Sequence, residues 1–85
     1  MPNGSGMLFI FPDSGMYGFW MKDMKFPLDI DWIDAEKTVI DVSEGVSPSS
    51  YPQVFYPPTN VRYVLELNSG DSRAYHIAIG TKLVF

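Results

Sequence analysis

The sequence predicts a single, mostly β domain: a small jelly-roll-like β-sandwich or barrel of short antiparallel strands, with at most one short helical turn. Three observations carry this. Apolar and polar residues alternate with period two in two separate stretches, Leu28–Trp32 and Arg62–Asn68. Pro, Gly, Ser and Asp clusters punctuate the chain at short intervals, as strand-connecting turns do. The 85 residues are 46% hydrophobic and 15% aromatic, enough for one core and not for two, so residues 1–85 read as one domain.

Met7 to Phe11 is a continuous apolar run, too short for an ordinary helix, and reads as a strand buried on both faces. Pro12-Asp13-Ser14-Gly15 is turn-like, and Tyr17 to Met21 is again strand-like, so the two runs are expected to form a hairpin. In the next strand Leu28, Ile30 and Trp32 share one face, and Asp29 and Asp31 point the other way. A polar turn at Asp34–Lys37 leads into a β-branched strand, Thr38–Ser43, which completes a second hairpin.

Gly45 to Pro58 holds four prolines and is expected to be a long loop, packed onto the body by Tyr51, Phe55 and Tyr56. In Arg62–Asn68, Tyr63, Leu65 and Leu67 share one face, and Arg62, Val64, Glu66 and Asn68 share the other. Ser72–Ile77 suits a short helical turn capped by Asp71, and Lys82–Phe85 a closing strand. The expected core comprises Leu8, Ile10, Phe19, Leu28, Ile30, Val64 or Leu65, and Ile77.

Composition excludes several function classes. Without cysteine there is no disulfide, thiolate metal site or cysteine nucleophile. The net charge is −4 and the six Lys and Arg residues are scattered, so neither nucleic acid nor an anionic membrane is an expected partner. No apolar run reaches the roughly 20 residues of a membrane span, and the first residues lack a signal-peptide pattern. The expectation is a soluble protein, cytoplasmic by default and exported if an N-terminal segment is missing. No cofactor fingerprint is present, and none is expected.

Three stretches resemble the DUF192 (UPF0127) family. Gly6-Met7-Leu8-Phe9-Ile10-Phe11 is similar to its G-M-L-F-x-F signature. Phe19 to Ile30, FWMKDMKFPLDI, is similar to its F-W-M-K-N-T-x-x-P-L-D-I core motif. Tyr63 to Gly70, YVLELNSG, is similar to its Y-V-L-E-L-x-x-G motif, and Gly80-Thr81-Lys82 matches the late glycine before the family's last strand. The resemblance implies a compact, jelly-roll-like β fold and no established activity. Two departures stand out. Asp23-Met24 replaces the family's Asn-Thr, putting an acceptor and a thioether where donors stood. The family's opening strand and G-L-M segment are absent, which implies either a domain shortened at its N-terminus or a natural protein of which part is absent here. An edge left open in this way would favour self-association.

Lys22, Asp23, Asp29 and Glu66 are the polar residues set among apolar neighbours in these motifs, and they are the candidate site. Trp20 and Tyr56 join them as exposed rings able to hold a ligand. The functional reading is a cleft for a small polar ligand such as a carbohydrate, or a protein partner. An alternative is a hydrolase using Lys22 with Asp29 or Glu66 for acid–base chemistry. A further alternative is a structural or interaction domain without a ligand. The architectural reading of the polar set is a network fixing strand register, with a Lys22–Glu66 ion pair.

Asp29, Asp31 and Asp34 fail the calcium-loop pattern, with Ile33 at a ligand position, so no metal site is expected and a solvated strand face is the simpler reading. His76, the sole histidine, has no nucleophile elbow to serve and reads as a surface residue.

Overall fold

The computed structural model describes residues 5–85. Six strands are present among them: β1 (Gly6–Gly15), β2 (Phe19–Trp20), β3 (Leu28–Ile33), β4 (Val39–Val46), β5 (Val54–Phe55) and β6 (Val61–Asn68). A single-turn helix, α1 (Asp71–Ala74), follows. The long strands form a four-stranded antiparallel sheet in the order β1-β6-β3-β4, and β2 pairs with β5 in a separate two-stranded ribbon. The fold is mostly β as expected. Among the described residues the sheets do not close into a barrel.

The β3–β4 hairpin forms where alternation placed it. Asp34 Oδ1 accepts hydrogen bonds from the Glu36 and Thr38 amides at 2.9 and 3.0 Å. This side-chain-stabilised turn is completed by Lys37 in the left-handed region at φ 66°. β3 lies between β4 and β6, and all six of its residues are buried.

The first expected hairpin does not form. β1 runs on through Pro12 to Gly15 and pairs with β6, while β2 turns away to pair with β5. Edge position tolerates the proline, which has no amide to donate. It also overturns the reading of β1 as buried on both faces: Leu8 is 36% and Ile10 65% exposed, and only Phe9 and Phe11 lean on the core. The Gly45–Pro58 segment is not wholly loop, since it holds the end of β4, a 3₁₀ turn at Pro48–Ser50 and β5. Lys82–Phe85 forms no strand; Lys82 makes an isolated bridge to Thr38.

The core lies on one face of the large sheet. Met21, Leu28, Ile30, Trp32, Val46, Val61 and Val64 are buried there, with Phe9, Phe11, Tyr17, Phe19, Met24, Ile40 and Phe55 packed around them. Phe19 sets its edge against Trp32 at 5.7 Å and against Phe9 at 5.0 Å between ring centroids. Trp32 Nε1 donates to Ser43 Oγ at 3.1 Å, which satisfies the one polar group on this large buried side chain. Leu28, Ile30 and Val64 are core residues as expected; Phe19, Leu65 and Ile77 are only partly buried.

Candidate functional site

The β2–β5 ribbon has two unlike faces. Cross-strand pairing sets Phe19 against Phe55 and Trp20 against Val54. Phe19 and Phe55 turn inward onto the core, so alternation turns Trp20 and Val54 outward. Gly18 and Tyr56 share that outer face. A Cβ at Gly18 would sit 2.6 Å from Val54 and 2.7 Å from the Tyr56 ring, so glycine is what lets the tyrosine lie across β2.

Tyr51 is brought to the same place by the 3₁₀ turn, which begins at Ser47 with a side-chain cap on the Ser49 amide. The Tyr51 amide donates to Pro48 O at 3.3 Å. Trp20 and Tyr51 then meet at 5.3 Å between centroids, and Lys22 Nζ stands 5.7 Å from the Trp20 ring. Trp20 is 48%, Tyr51 43% and Tyr56 60% exposed. The three rings of the proline-rich segment thus divide: Phe55 packs inward, and Tyr51 and Tyr56 face solvent. Lys22 and Asp23 are exposed in the turn leaving β2, where Asp23 adopts φ 60°. Trp20, Lys22, Asp23 and Tyr56 therefore belong to one side of the molecule. Val54 and Gly18 were the members that sequence reasoning left out of the site, whereas Tyr51 belongs to the aromatic loop that it set beside the site.

Asp29 stands elsewhere. On β3 it points to the face opposite Ile30, and it is 1% exposed. Its Oδ1 accepts from the Gly45 amide at 2.8 Å, and its Oδ2 from the Gly70 and Ser72 amides at 3.0 and 3.1 Å. This one carboxylate ties the end of β4 and the start of α1 to the central strand. It also caps α1, a role the sequence assigned to Asp71; the helix's own cap position is Gly70, which has no side chain to offer.

Asp31, on the same face and wholly buried, accepts from Ser72 Oγ at 2.6 Å through Oδ1. Among the described residues its Oδ2 is the buried side-chain polar atom without a hydrogen-bond partner. Burial pushes the Asp31 carboxyl up to about 6; the Ser72 bond pulls it down, and the charges of Asp29 and Glu44 raise it further. The expected solvated face for these two aspartates is wrong, because α1 and its flanking turns cover them. Among the described residues, no group of three or more His, Cys, Asp or Glu is arranged to hold a metal ion.

Glu66 pairs with Ile30 across β3 and β6, and so points to the core face, away from Asp29. Burial alone raises its carboxyl above the usual range. The expected Lys22–Glu66 pair is not made. The ion pair among the described residues joins Arg73 to Glu44 at 3.1 Å on the surface. Lys22, Asp29 and Glu66 thus occupy three different places, and no acid–base cleft is built from them. His76 is exposed.

Among solved structures, a Sinorhizobium meliloti protein described as a candidate transcription regulator matches at 33% identity with a TM-score of 0.82, over 88% of this chain and 57% of that one. A Novosphingobium aromaticivorans protein of unknown function matches at 25% identity with a TM-score of 0.91, over all of this chain and 60% of that one. The chain spans less than two thirds of either. No curated protein matches it. The family model described as Uncharacterized ACR matches residues 1–85. The chain belongs to the DUF192 family.

Proposed function

We propose that this domain is a binding module and that the outer face of the β2–β5 ribbon takes a carbohydrate. The observation that supports this is the aromatic set itself. Trp20, Tyr51 and Tyr56 lie open to solvent on one side of a ribbon whose other side is packed by Phe19 and Phe55. Core packing accounts for the inner pair, whereas the outer three keep much of their ring surface in solvent beyond the Trp20–Tyr51 contact and the seat of Tyr56 on Gly18. Exposed rings favour the apolar C–H faces of a sugar, and polar groups beside them give direction to its hydroxyls. Lys22 and Asp23 supply a donor and an acceptor at the rim.

A regulator acting through a nucleic-acid backbone would need a basic face, and this chain has net charge −4 with its cations dispersed. The hydrolase reading requires two carboxylates facing one cleft, whereas Asp29 and Glu66 leave the sheet on opposite faces.

A thermal-shift screen against soluble neutral and acidic oligosaccharides tests the proposal, because a ligand bound only by the folded state raises Tm. At least one saccharide class should raise Tm in the parent and leave Trp20→Ala and Tyr56→Ala unmoved. A panel that shifts nothing, or shifts parent and both variants alike, removes the ribbon as a sugar site.

A further inference from the structure

The segment that follows β6 is seated on the sheet through one residue. Between Asp71 and Gly80 only Ser72 is fully buried; Asp71 and Ile77 are half-buried and the others exposed. So little apolar burial leaves hydrogen bonds to hold it, and Ser72 makes three of them. Its amide donates to Asp29 Oδ2 at 3.1 Å, its Oγ donates to Asp31 Oδ1 at 2.6 Å, and its carbonyl accepts from the Ile77 amide at 2.8 Å. The Gly70 amide adds a second bond to Asp29 Oδ2 at 3.0 Å. After the segment the chain is tied down again, where Val39 exchanges backbone bonds with Gly80 and Thr81. Gly70 and Gly80 bracket it at φ 91° and 93°, and a Cβ at either would meet nothing within 4 Å. Glycine serves the backbone angle there and not close packing, which suits both positions to act as hinges.

The seat under Ser72 is a carboxyl that the interior tolerates better as an acid. Asp31 is wholly buried, and among the described residues its Oδ2 has no hydrogen-bond partner. Ionised, it leaves a negative charge without compensation. Asp29, two residues along β3, and Glu44 on β4 both make that charge more costly. The groups on α1 do not relieve it: Asp71 is acidic, and Arg73 is exposed and bonded to Glu44 at 3.1 Å. His76, beyond the helix, is exposed, and β6 sends Leu65 and Leu67 to this face, opposite Asp31 and Asp29.

We infer that residues 70–79 form a pH-sensitive latch, closed on the sheet through Ser72 while Asp31 is protonated and opening about Gly70 and Gly80 when Asp31 loses its proton. Release gives the carboxylate water, and one turn of helix does not stand alone, so the latch frays as it opens. Opposing release are the two amide bonds to Asp29. Burial pushes the Asp31 carboxyl up to about 6 in the closed form, from an ordinary 3.8, so the closed form binds the proton more tightly. Closure is therefore favoured at low pH, and the opening equilibrium should grow roughly tenfold between pH 5 and pH 7 and then level off. The β2–β5 ribbon packs on the opposite face of the sheet, so the latch and sugar binding stand or fall separately.

Native-state hydrogen exchange from about pH 5 to pH 7.5, in water and in low urea, reads this directly when each amide is compared with its unstructured rate at the same pH. The Gly70, Ser72 and Ile77 amides should exchange through an opening with little urea dependence, and β3 amides through global unfolding with a steep one. Protection at the three latch amides should fall about tenfold between pH 5 and pH 7 in the parent. It should stay level in Asp31→Asn, which keeps an acceptor for Ser72 and does not ionise. Latch amides that share the opening free energy and urea dependence of β3 overturn the latch. So does protection that is level in the parent, or that still falls in Asp31→Asn. If Asp31→Asn fails to fold, the parent decides. The pH at which latch opening levels off should then match the midpoint of the Asp31 carboxyl carbon resonance, and a mismatch overturns the proposal.

Discussion

The two faces of the four-stranded sheet are made from the same strands and held by different physics. On β3, Leu28, Ile30 and Trp32 supply one face, and Asp29 and Asp31, two residues apart, the other; all five are buried. The first face gains chiefly by removing apolar area from water, and no residue that β3 itself sends to it titrates. The second is bought with hydrogen bonds. There Asp29 has three amide donors, and Asp31 has one hydroxyl and an oxygen left over. Adjacent carboxylates in a common environment therefore differ in what they contribute: Asp29 holds the fold together, and Asp31 taxes it whenever it is charged.

The difference is sharpest where it is easiest to break. Trp32→Ala empties the centre of the aromatic cluster and should cost about 3–5 kcal/mol, enough to unfold a domain this small. Circular dichroism at 25 °C should report loss of the native fold. Asp29→Ala strands the amides of Gly45, Gly70 and Ser72 and should cost about 3 kcal/mol in urea denaturation. Asp29→Asn, which keeps an acceptor, should cost less.

Asp31 carries a pH signature. Its carboxyl titrates near 6 in the folded chain against 3.8 in the unfolded one, so the native state binds the proton more tightly. Stability should then be highest below about pH 4 as far as this group is concerned, fall through the interval up to about 6, and level off above it. The loss is on the order of 3 kcal/mol. Glu66, raised by burial, adds in the same direction. Asp31→Asn should flatten most of this slope in a series of denaturation curves from pH 4 to pH 8, and should exceed the parent in stability at the upper end. A parent slope that persists in Asp31→Asn would locate the titration elsewhere. The smallest effects belong to the outer ribbon: Tyr56→Ala and Tyr51→Ala, at exposed rings, should each move stability by under about 1 kcal/mol.

Alternation made the central strands legible. The residues of β3 and β6 sort onto the two faces as their period-two pattern requires, because each strand is flanked on both sides and register is pinned by burial. The same rule misled at β1. A continuous apolar run is the mark of a strand covered on both faces, yet Met7–Phe11 lies at an edge of the described sheet, and nothing in five uncharged residues distinguishes the two cases.

The partners of β1 and β2 were hidden for another reason. Neighbours in sequence with a turn between them are the default hairpin, and pairing β1 with β6 instead closes a long loop that no local signal announces. The candidate site was half visible. Trp20, Lys22, Asp23 and Tyr56 do lie on one side of the molecule. Asp29 and Glu66 looked like their companions because polar residues amid apolar ones attract attention whatever their cause. Asp29 is spent on backbone amides 16 to 43 residues away, a task that only the folded chain reveals.

The two tryptophans mark the two regions, one on the ribbon's outer face and one in the core, and their indole N–H resonances can be followed separately in a two-dimensional ¹H–¹⁵N spectrum. The decisive measurement is a titration of the ¹⁵N-labelled chain with an oligosaccharide that raises its Tm. The Trp20 indole signal should move saturably, together with the amides of residues 51–56, while the Trp32 signal, buried and bonded to Ser43, stays in place. Saturable binding that moves Trp32, or that leaves Trp20 still, would contradict a recognition surface on the ribbon.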